Sequence, residues 1–365
     1  MPTTKSKRIV LAVINDLAGD QRVHRIATSL SEAGNQVTVV GRLLPHSKPL
    51  SPRSYLTHRF RLPIHQGKWF YLIFNLRLFA WLLGQRADII TANDLDTLLA
   101  CTAAARLKRC SLIYDSHELF TEVPELIHRP ATRKIWLWLE QWLVPKLRTA
   151  YTVNESLAKI FTEKYKVPFV AIRNVPFAKP MPSPPKPGRV IIYQGALNLG
   201  RGIDLMIDAM ALLEGFELRI IGRGDVEEDL RKRAASLPAG RVTFYGFMPL
   251  EKLAAITAEA SLGLSLEEDL GANYHFASPN KVYDYIQAGI PVLVSDLPEM
   301  RSLVESTGCG EILRKEERNT QQLAARIAQI CAPDGPWQSY ADASANAAKI
   351  YIWELEKQKL LALYA

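Results

Sequence analysis

The stretch SPNKVYDYIQAGIPVLVSDL, residues 278–297, decides how the rest of the chain is read. It spells a polar loop, a helix, a glycine stop, a buried strand and a second polar loop. Gly289 stands where a left-handed C-cap ends a helix. Residues 290–295 then supply a β-branched run between Pro291 and Asp296, the signature of a strand buried on both faces. The loop offers the hydroxyl of Ser278, the amide of Asn280 and the cation of Lys281, and the first helical turns offer the carboxylate of Asp284. A helix N-terminus, a lysine and a carboxylate so close together have the chemistry to hold a phosphorylated sugar bearing a ribose. The same residues also fit an ordinary capped α/β unit.

The pattern upstream repeats this strand–loop–helix grammar. Residues 190–195 (VIIYQG) read as a strand, and ALNLGRG at 196–202 as a loop with Arg201 between two glycines. A helix at 203–213 follows, then strand and glycine turn in FELRIIGRGD (216–225), which contains Gly222. Strand 242–247, helix 248–260 and strand 262–266 come next. TGCGEIL at 307–313 closes the series, and a helical tail follows Pro333.

The first half has the same grammar. RIVLAVI (8–14) is a buried strand, NDLAGDQ (15–21) a polar loop, 22–33 a helix with apolar residues at helical spacing, and 36–40 a strand. The turn holds one glycine, Gly19, where a nicotinamide-cofactor fingerprint needs three, so a dehydrogenase is disfavoured. Residues 45–68 read as an irregular excursion. WFYLIFNLRLFAWLLG (69–84) is apolar on nearly every face but shorter than the roughly 20 residues of a membrane span. It reads as a helix buried between sheet and neighbours, with an interfacial helix lying on a membrane as the alternative. Strand 87–94 ends on Asn93 and Asp94. Strand 111–118 ends on Asp115, Ser116, His117 and Glu118. Helix 131–147, strand 149–154, helix 155–164 and strand 169–174 complete this half. In open α/β sheets the ligand crevice lies beyond the carboxyl ends of the strands, so His117 is placed where chemistry is expected. It also fits a histidine that merely caps a loop. Asp94 and Asp96 have the D-x-D look of a metal site, but a helix N-terminus favours aspartate anyway, and no metal is expected.

The expected domains are therefore 1–174, a proline-rich linker at 175–188 with six prolines, 189–335, and a helical tail at 336–365. Charge divides unevenly. Residues 1–175 hold 25 Lys+Arg against 13 Asp+Glu, and the remainder holds 20 against 24, within a net charge of +8. A basic first half suggests an anionic acceptor or an anionic membrane surface. No nucleic-acid motif accompanies it. The cysteines at 101, 110, 309 and 331 have no metal-ligand spacing and imply no disulfide framework. That fits a reducing cytosol, and MPTTKSKRIV holds no signal-peptide core.

Taken in order, GDQRVHRIATSLSEAGNQVTVVG, ITANDLDTLL, IYDSHELFTEVPEL, YQGALNLGRGIDLMIDAM, RIIGRGD, VTFYGFMPLEKL and SPNKVYDYIQAGIPVLVSD make a chain that resembles the family-4, or group 1, retaining glycosyltransferases. The resemblance implies two facing Rossmann-like domains (the GT-B fold), parallel sheets flanked by helices, and C-terminal helices crossing back to the first domain. It implies sugar transfer from a UDP-, GDP- or ADP-sugar to a glycan or lipid-linked acceptor, with no obligatory cofactor. The work expected is cell-surface polysaccharide or lipid-linked glycan assembly in a bacterium, in the cytoplasm or at the inner face of the membrane. Arg201, Lys281, Gly195 and Gly202 then bind donor phosphate. Asp284, Asn280, Ser278 and Gly222 bind the ribose and donor. His117 and Glu118 are the catalytic pair, and Asp16, Gly19 and Arg22 line the acceptor side. Two positions depart from the family pattern: Ala196 stands where an arginine is usual, and Phe276 where a glutamate touches the donor sugar. They leave room for a catalytically silent subunit of the same fold.

Overall fold

A computed structural model describes residues 6–178 and 187–365. The expected linker at 175–188 lies largely outside the described residues, as do the first five. The chain divides into two compact units, Met1–Asn174 with Glu356–Ala365, and Val175–Leu355.

Unit 1 is built on a seven-stranded parallel sheet. Its strands are β1 (Arg8–Ala12), β2 (Gln36–Leu43), β3 (Leu56–Arg61), β4 (Ile89–Asn93), β5 (Ser111–Ser116), β6 (Thr149–Thr152) and β7 (Phe169–Ala171), ordered β3-β2-β1-β4-β5-β6-β7. Unit 2 has six: β8 (Val190–Gln194), β9 (Glu217–Ile221), β10 (Val242–Gly246), β11 (Leu262–Ser265), β12 (Val292–Ser295) and β13 (Gly310–Leu313), ordered β10-β9-β8-β11-β12-β13. Helices on both faces explain why the central strands are near-continuous apolar runs. All of β4, β11 and β12 is buried. In each sheet the winding reverses once, between β1 and β4 and between β8 and β11. Such a switch point splays the loops apart and leaves a crevice at the carboxyl edge.

Several expectations are corrected. The excursion at 45–68 contains β3, which pairs in parallel with β2 from Thr38↔Leu56 to Leu43↔Arg61. It is an edge strand with only Phe60 buried, so it carries no apolar alternation to read. The helix Gly67–Gly84 buries a single stripe, Phe70, Phe74, Leu78 and Leu82, and is not enclosed on all sides. The helix expected at 131–147 runs Pro130–Leu143, and Pro145 sits in a following 3-10 turn. The helix expected at 203–213 is short, Ile203–Ala209.

The segment 336–365 is not one element. Trp337 opens the helix Trp337–Ala347, is buried in the core of unit 2 and donates from Nε1 to the Ser261 carbonyl at 2.6 Å. Residues from Glu356 onward return to unit 1, where the Tyr364 hydroxyl lies 2.8 Å from Thr91 Oγ1 and 3.2 Å from the Tyr151 hydroxyl.

Candidate active site

In unit 1 the carboxyl ends of the adjacent strands β4 and β5 bring three residues together. Asp94, just past β4, accepts from the His117 backbone N–H at 2.8 Å on Oδ1, and its Oδ2 lies 3.0 Å from His117 Nδ1. Asp115, in β5, lies 3.0 Å from His117 Nε2 through its Oδ2. A carboxylate only accepts, so both ring nitrogens must carry protons and His117 is an imidazolium. Burial alone would depress its pKa, but Asp94 and Asp115 together hold it well above the ordinary 6.5. Asp115 is fully buried, which pushes its pKa up. Arg22 and His117 more than offset this and hold it at about 2.

Arg22 comes from the first turn of the helix Gln21–Glu32. It grips Asp115 with a fork, Nε at 3.0 Å from Oδ2 and Nη2 at 2.8 Å from Oδ1, and Nη1 donates to the Ile172 carbonyl at 2.7 Å. Such bidentate pairs fix orientation as well as charge. Asp94 adopts φ 63, ψ 167, a conformation unfavourable for a side-chain-bearing residue, and its N–H donates to the Asp115 carbonyl at 2.8 Å. Backbone strain of this kind costs about 1–3 kcal/mol and persists where surroundings enforce it. Here the enforcers are β5 and His117.

These contacts revise the expected roles. His117, expected in the catalytic pair, has each ring nitrogen 3.0 Å from a carboxylate oxygen. Arg22 does not line an open acceptor surface, because its guanidinium is buried against Asp115. Asp16 serves its own turn, accepting from the Ala18 N–H at 3.1 Å and the Ser47 hydroxyl at 2.9 Å. Gly19 is exposed, and a Cβ there would meet nothing within 4 Å, so no structural demand fixes it as glycine. Glu118 is partly exposed, one residue beyond His117 at the same edge. Both Asp94 carboxylate oxygens serve His117. Among the described residues no cluster of His, Cys, Asp or Glu could hold a metal ion.

In unit 2 the site gathers at the β8/β11 switch point. Glu267, the second residue past β11, is buried. Its Oε2 accepts from the Ser265 hydroxyl at 2.7 Å, and its Oε1 accepts from Lys281 Nζ at 2.5 Å. Lys281 is itself buried, on the first turn of the helix Asn280–Gln287, with its ammonium 4.3 Å from the centre of the Tyr193 ring. Burial lowers the Lys281 pKa, with Glu267 resisting. Burial would raise that of Glu267, but Lys281 brings it below its usual value. The shift of Glu267 favours its charged form, while that of Lys281 reflects the cost of burying an ammonium.

Arg201 approaches the same carboxylate more loosely, with Nη1 3.7 Å from Glu267 Oε1. Its Nε is buried and has no hydrogen-bond partner, and its guanidinium carbon lies 5.2 Å from the Tyr274 ring centre. Two cations thus share one anion, and one of them keeps an unused donor.

Glycines pack closely around these charges. A Cβ on Gly195 would stand 3.3 Å from Lys281 Cε, and Gly195 has φ +143. Gly222, also at φ +143, passes so close that a Cβ would lie 1.8 Å from the Gly195 carbonyl oxygen. At Gly202 a Cβ would meet the Leu266 carbonyl at 2.2 Å. Asp284 Oδ2 accepts from Gln194 Nε2 at 2.9 Å, which ties it to the end of β8. The Ser278 hydroxyl lies 3.0 Å from that of Tyr283, and Asn280 is exposed at the helix start.

Sequence reasoning missed Glu267, Gln194 and the clamp formed by Asp94 and Asp115. Glu267 was within reach, because the rule that singled out His117, a polar residue just past a strand, applies equally to LSLEE.

This arrangement is matched by family profiles along most of the chain. Residues 20–176 match Glycosyltransferase Family 4 and residues 188–332 match Glycosyl transferases group 1. No curated protein sequence matches significantly. Among solved structures, a sucrose-phosphate synthase from Thermosynechococcus elongatus superposes with a TM-score of 0.77 at 17% identity, covering 98% of each chain. WaaG, a glycosyltransferase involved in lipopolysaccharide biosynthesis, gives 0.74 at 15%, covering 97% of this chain and 99% of its own. Anabaena HepE in complex with UDP and glucose gives 0.72 at 16%, covering 98% of each. The fold is thus that of two-domain GT-B glycosyltransferases, and the chain belongs to the group 1, family-4 glycosyltransferases.

Proposed function

We propose that the protein moves a sugar, with retained anomeric configuration, from a nucleoside diphosphate-sugar to a glycan or lipid-linked acceptor. We place it in bacterial cell-surface polysaccharide or lipid-linked glycan assembly, working from the cytoplasmic side. The carrying observation is the unit 2 cluster, where Arg201 keeps an unused buried donor beside closely packed glycines and a Lys281–Glu267 pair. An arginine fork matches a diphosphate, and Lys281 adds a fixed charge behind it. Asp284, tied to Gln194, is the carboxylate assigned to ribose hydroxyls. That UDP and glucose occupy HepE supports a nucleotide-sugar donor, and the lipopolysaccharide role of WaaG supports a cell-surface acceptor.

In the step itself, the bond from the anomeric carbon to the β-phosphate oxygen breaks and its electron pair leaves with the phosphate. The acceptor hydroxyl forms the new bond on the same face, and its proton passes to the departing phosphate oxygen. No side-chain nucleophile is needed. The protein's part is to stabilise developing charge with fixed cations. His117, held between Asp94 and Asp115 with its pKa raised well above the ordinary value, serves as a positioned cation at the edge of unit 1. The test is incubation with UDP-, GDP- and ADP-sugars. Slow donor hydrolysis by the wild type, lost in Arg201→Ala, is expected. Absence of hydrolysis together with no nucleotide-induced thermal shift would contradict the proposal.

Ala196 and Phe276, at two positions where the family contacts its donor, favour one competing reading, a silent subunit. It predicts nucleotide binding with no turnover even with the true acceptor.

A further inference from the structure

We propose that the outer helical face of unit 1 docks on an anionic lipid surface. The helix Gly67–Gly84 carries a second apolar stripe opposite its buried one: Trp69, Leu72, Leu76 and Leu83 share one exposed side, with Leu76 60% accessible. The helix Pro130–Leu143 does the same with Ile135, Trp138 and Trp142, spaced as one face, with Ile135 61% and Trp138 59% accessible. The two helices touch through Tyr71 and Trp136, whose rings lie 5.2 Å apart, and the helix Leu95–Lys108 packs against both. Trp138 and Trp142 stack at 5.5 Å. Scattered exposed apolar residues are ordinary, but seven aligned in two neighbouring stripes form a patch that calls for a partner.

The charges identify that partner. The acids on these three helices are Asp96 and Glu140, and both are buried. The charged side chains these helices expose are basic, among them Lys68, Arg77, Arg106 and Lys134. Lys146, just beyond, places its ammonium 4.3 Å from the Trp142 ring centre. Indole rings beside cations match the boundary of a bilayer, where the ring enters the interface and the cation meets a negative headgroup. A second copy of this chain would set basic residues against basic residues, which disfavours self-association through this face. Among the described residues no helix is long and apolar enough to cross a membrane, so the contact is one of lying on the surface.

The inference stands apart from sugar transfer, because its readout is vesicle binding by the whole protein with no donor present. Co-sedimentation with phosphatidylcholine vesicles is compared with vesicles containing added phosphatidylglycerol, at low and high salt. Expected are salt-sensitive binding to the anionic vesicles alone, and a loss of about ten-fold or more in Lys134→Glu/Lys146→Glu and in Trp138→Ser/Trp142→Ser. Both variants should keep the wild-type thermal transition and nucleoside diphosphate affinity. Equal binding to neutral vesicles, variants that bind like wild type, or a face that instead dimerises or takes an acidic protein would each overturn it.

Discussion

The two units wind their strands in the same order, yet they use their switch points in opposite ways. In unit 1 the cluster around His117 closes its charges on one another, although the buried Asp96 Oδ1 at the same edge is left without a hydrogen bond. Arg22 and His117 face Asp94 and Asp115, two cations against two anions, and the fork and both ring nitrogens are committed. Unit 2 leaves an excess, with Arg201 and Lys281 set against Glu267 and one guanidinium donor idle. A buried ion without a partner is costly, so a saturated network is a scaffold. A cation held near an anion it only half engages is ready for a second one. The comparison teaches that the two clusters differ in engagement: Arg22 and His117 are bonded directly to carboxylates, whereas Arg201 reaches its carboxylate only at 3.7 Å.

The largest effect is expected where the closed network is opened. Asp115→Ala leaves a buried guanidinium and an imidazolium without their shared counter-charge, and should cost unit 1 about 3–5 kcal/mol. The loose Arg201 contact should cost unit 2 less than about 1 kcal/mol on Arg201→Ala, by the standard of partly exposed pairs. Denaturant midpoints of the two variants check this, and equal losses would erase the distinction. Next in size is Gly222→Ala. Its Cβ would be driven into the Gly195 carbonyl at 1.8 Å, so the backbone beside Lys281 must move and nucleotide affinity should collapse, as titration calorimetry would report.

A third expectation concerns pH. The folded pKa of His117 lies above its ordinary 6.5. Its contribution is therefore fully present below that value and is lost as pH rises through the raised one. Asp115, held at about 2 against an ordinary 3.8, contributes above 3.8 and loses this as pH falls towards about 2. Unit 1 should thus weaken on the alkaline side, and His117→Gln should flatten that limb. Proton NMR should show an imidazole that does not titrate near neutrality, and a midpoint near 6.5 would break the clamp. The smallest effect is Gly19→Ala, expected within about 0.5 kcal/mol of wild type in stability, since nothing crowds that Cβ.

How far the sequence could be read follows from these contacts. The two βαβ series were legible because central strands are buried on both faces and spell β-branched runs. β3 was not, because an edge strand needs only Phe60 inside. The helical tail was legible as helix, but periodicity cannot say that Trp337 serves one core and Tyr364 the other. Placing His117 at a strand end was enough to single it out. Its protonation was hidden, since it depends on Asp94, 23 residues before, and on Arg22, 93 residues before Asp115. Phe276 stands where the family pattern has a glutamate, while the carboxylate that meets Lys281 is that of Glu267.

The central claim is that Arg201 receives a diphosphate while Lys281 stays locked to Glu267. Calorimetric titration of wild type and Arg201→Ala with a nucleoside diphosphate and with its parent nucleoside tests it most directly. One charge-assisted contact is worth about 1.5–3 kcal/mol, so diphosphate affinity should fall about ten-fold to a hundred-fold while nucleoside affinity holds. An equal fall for both ligands, or no fall for either, would contradict the account.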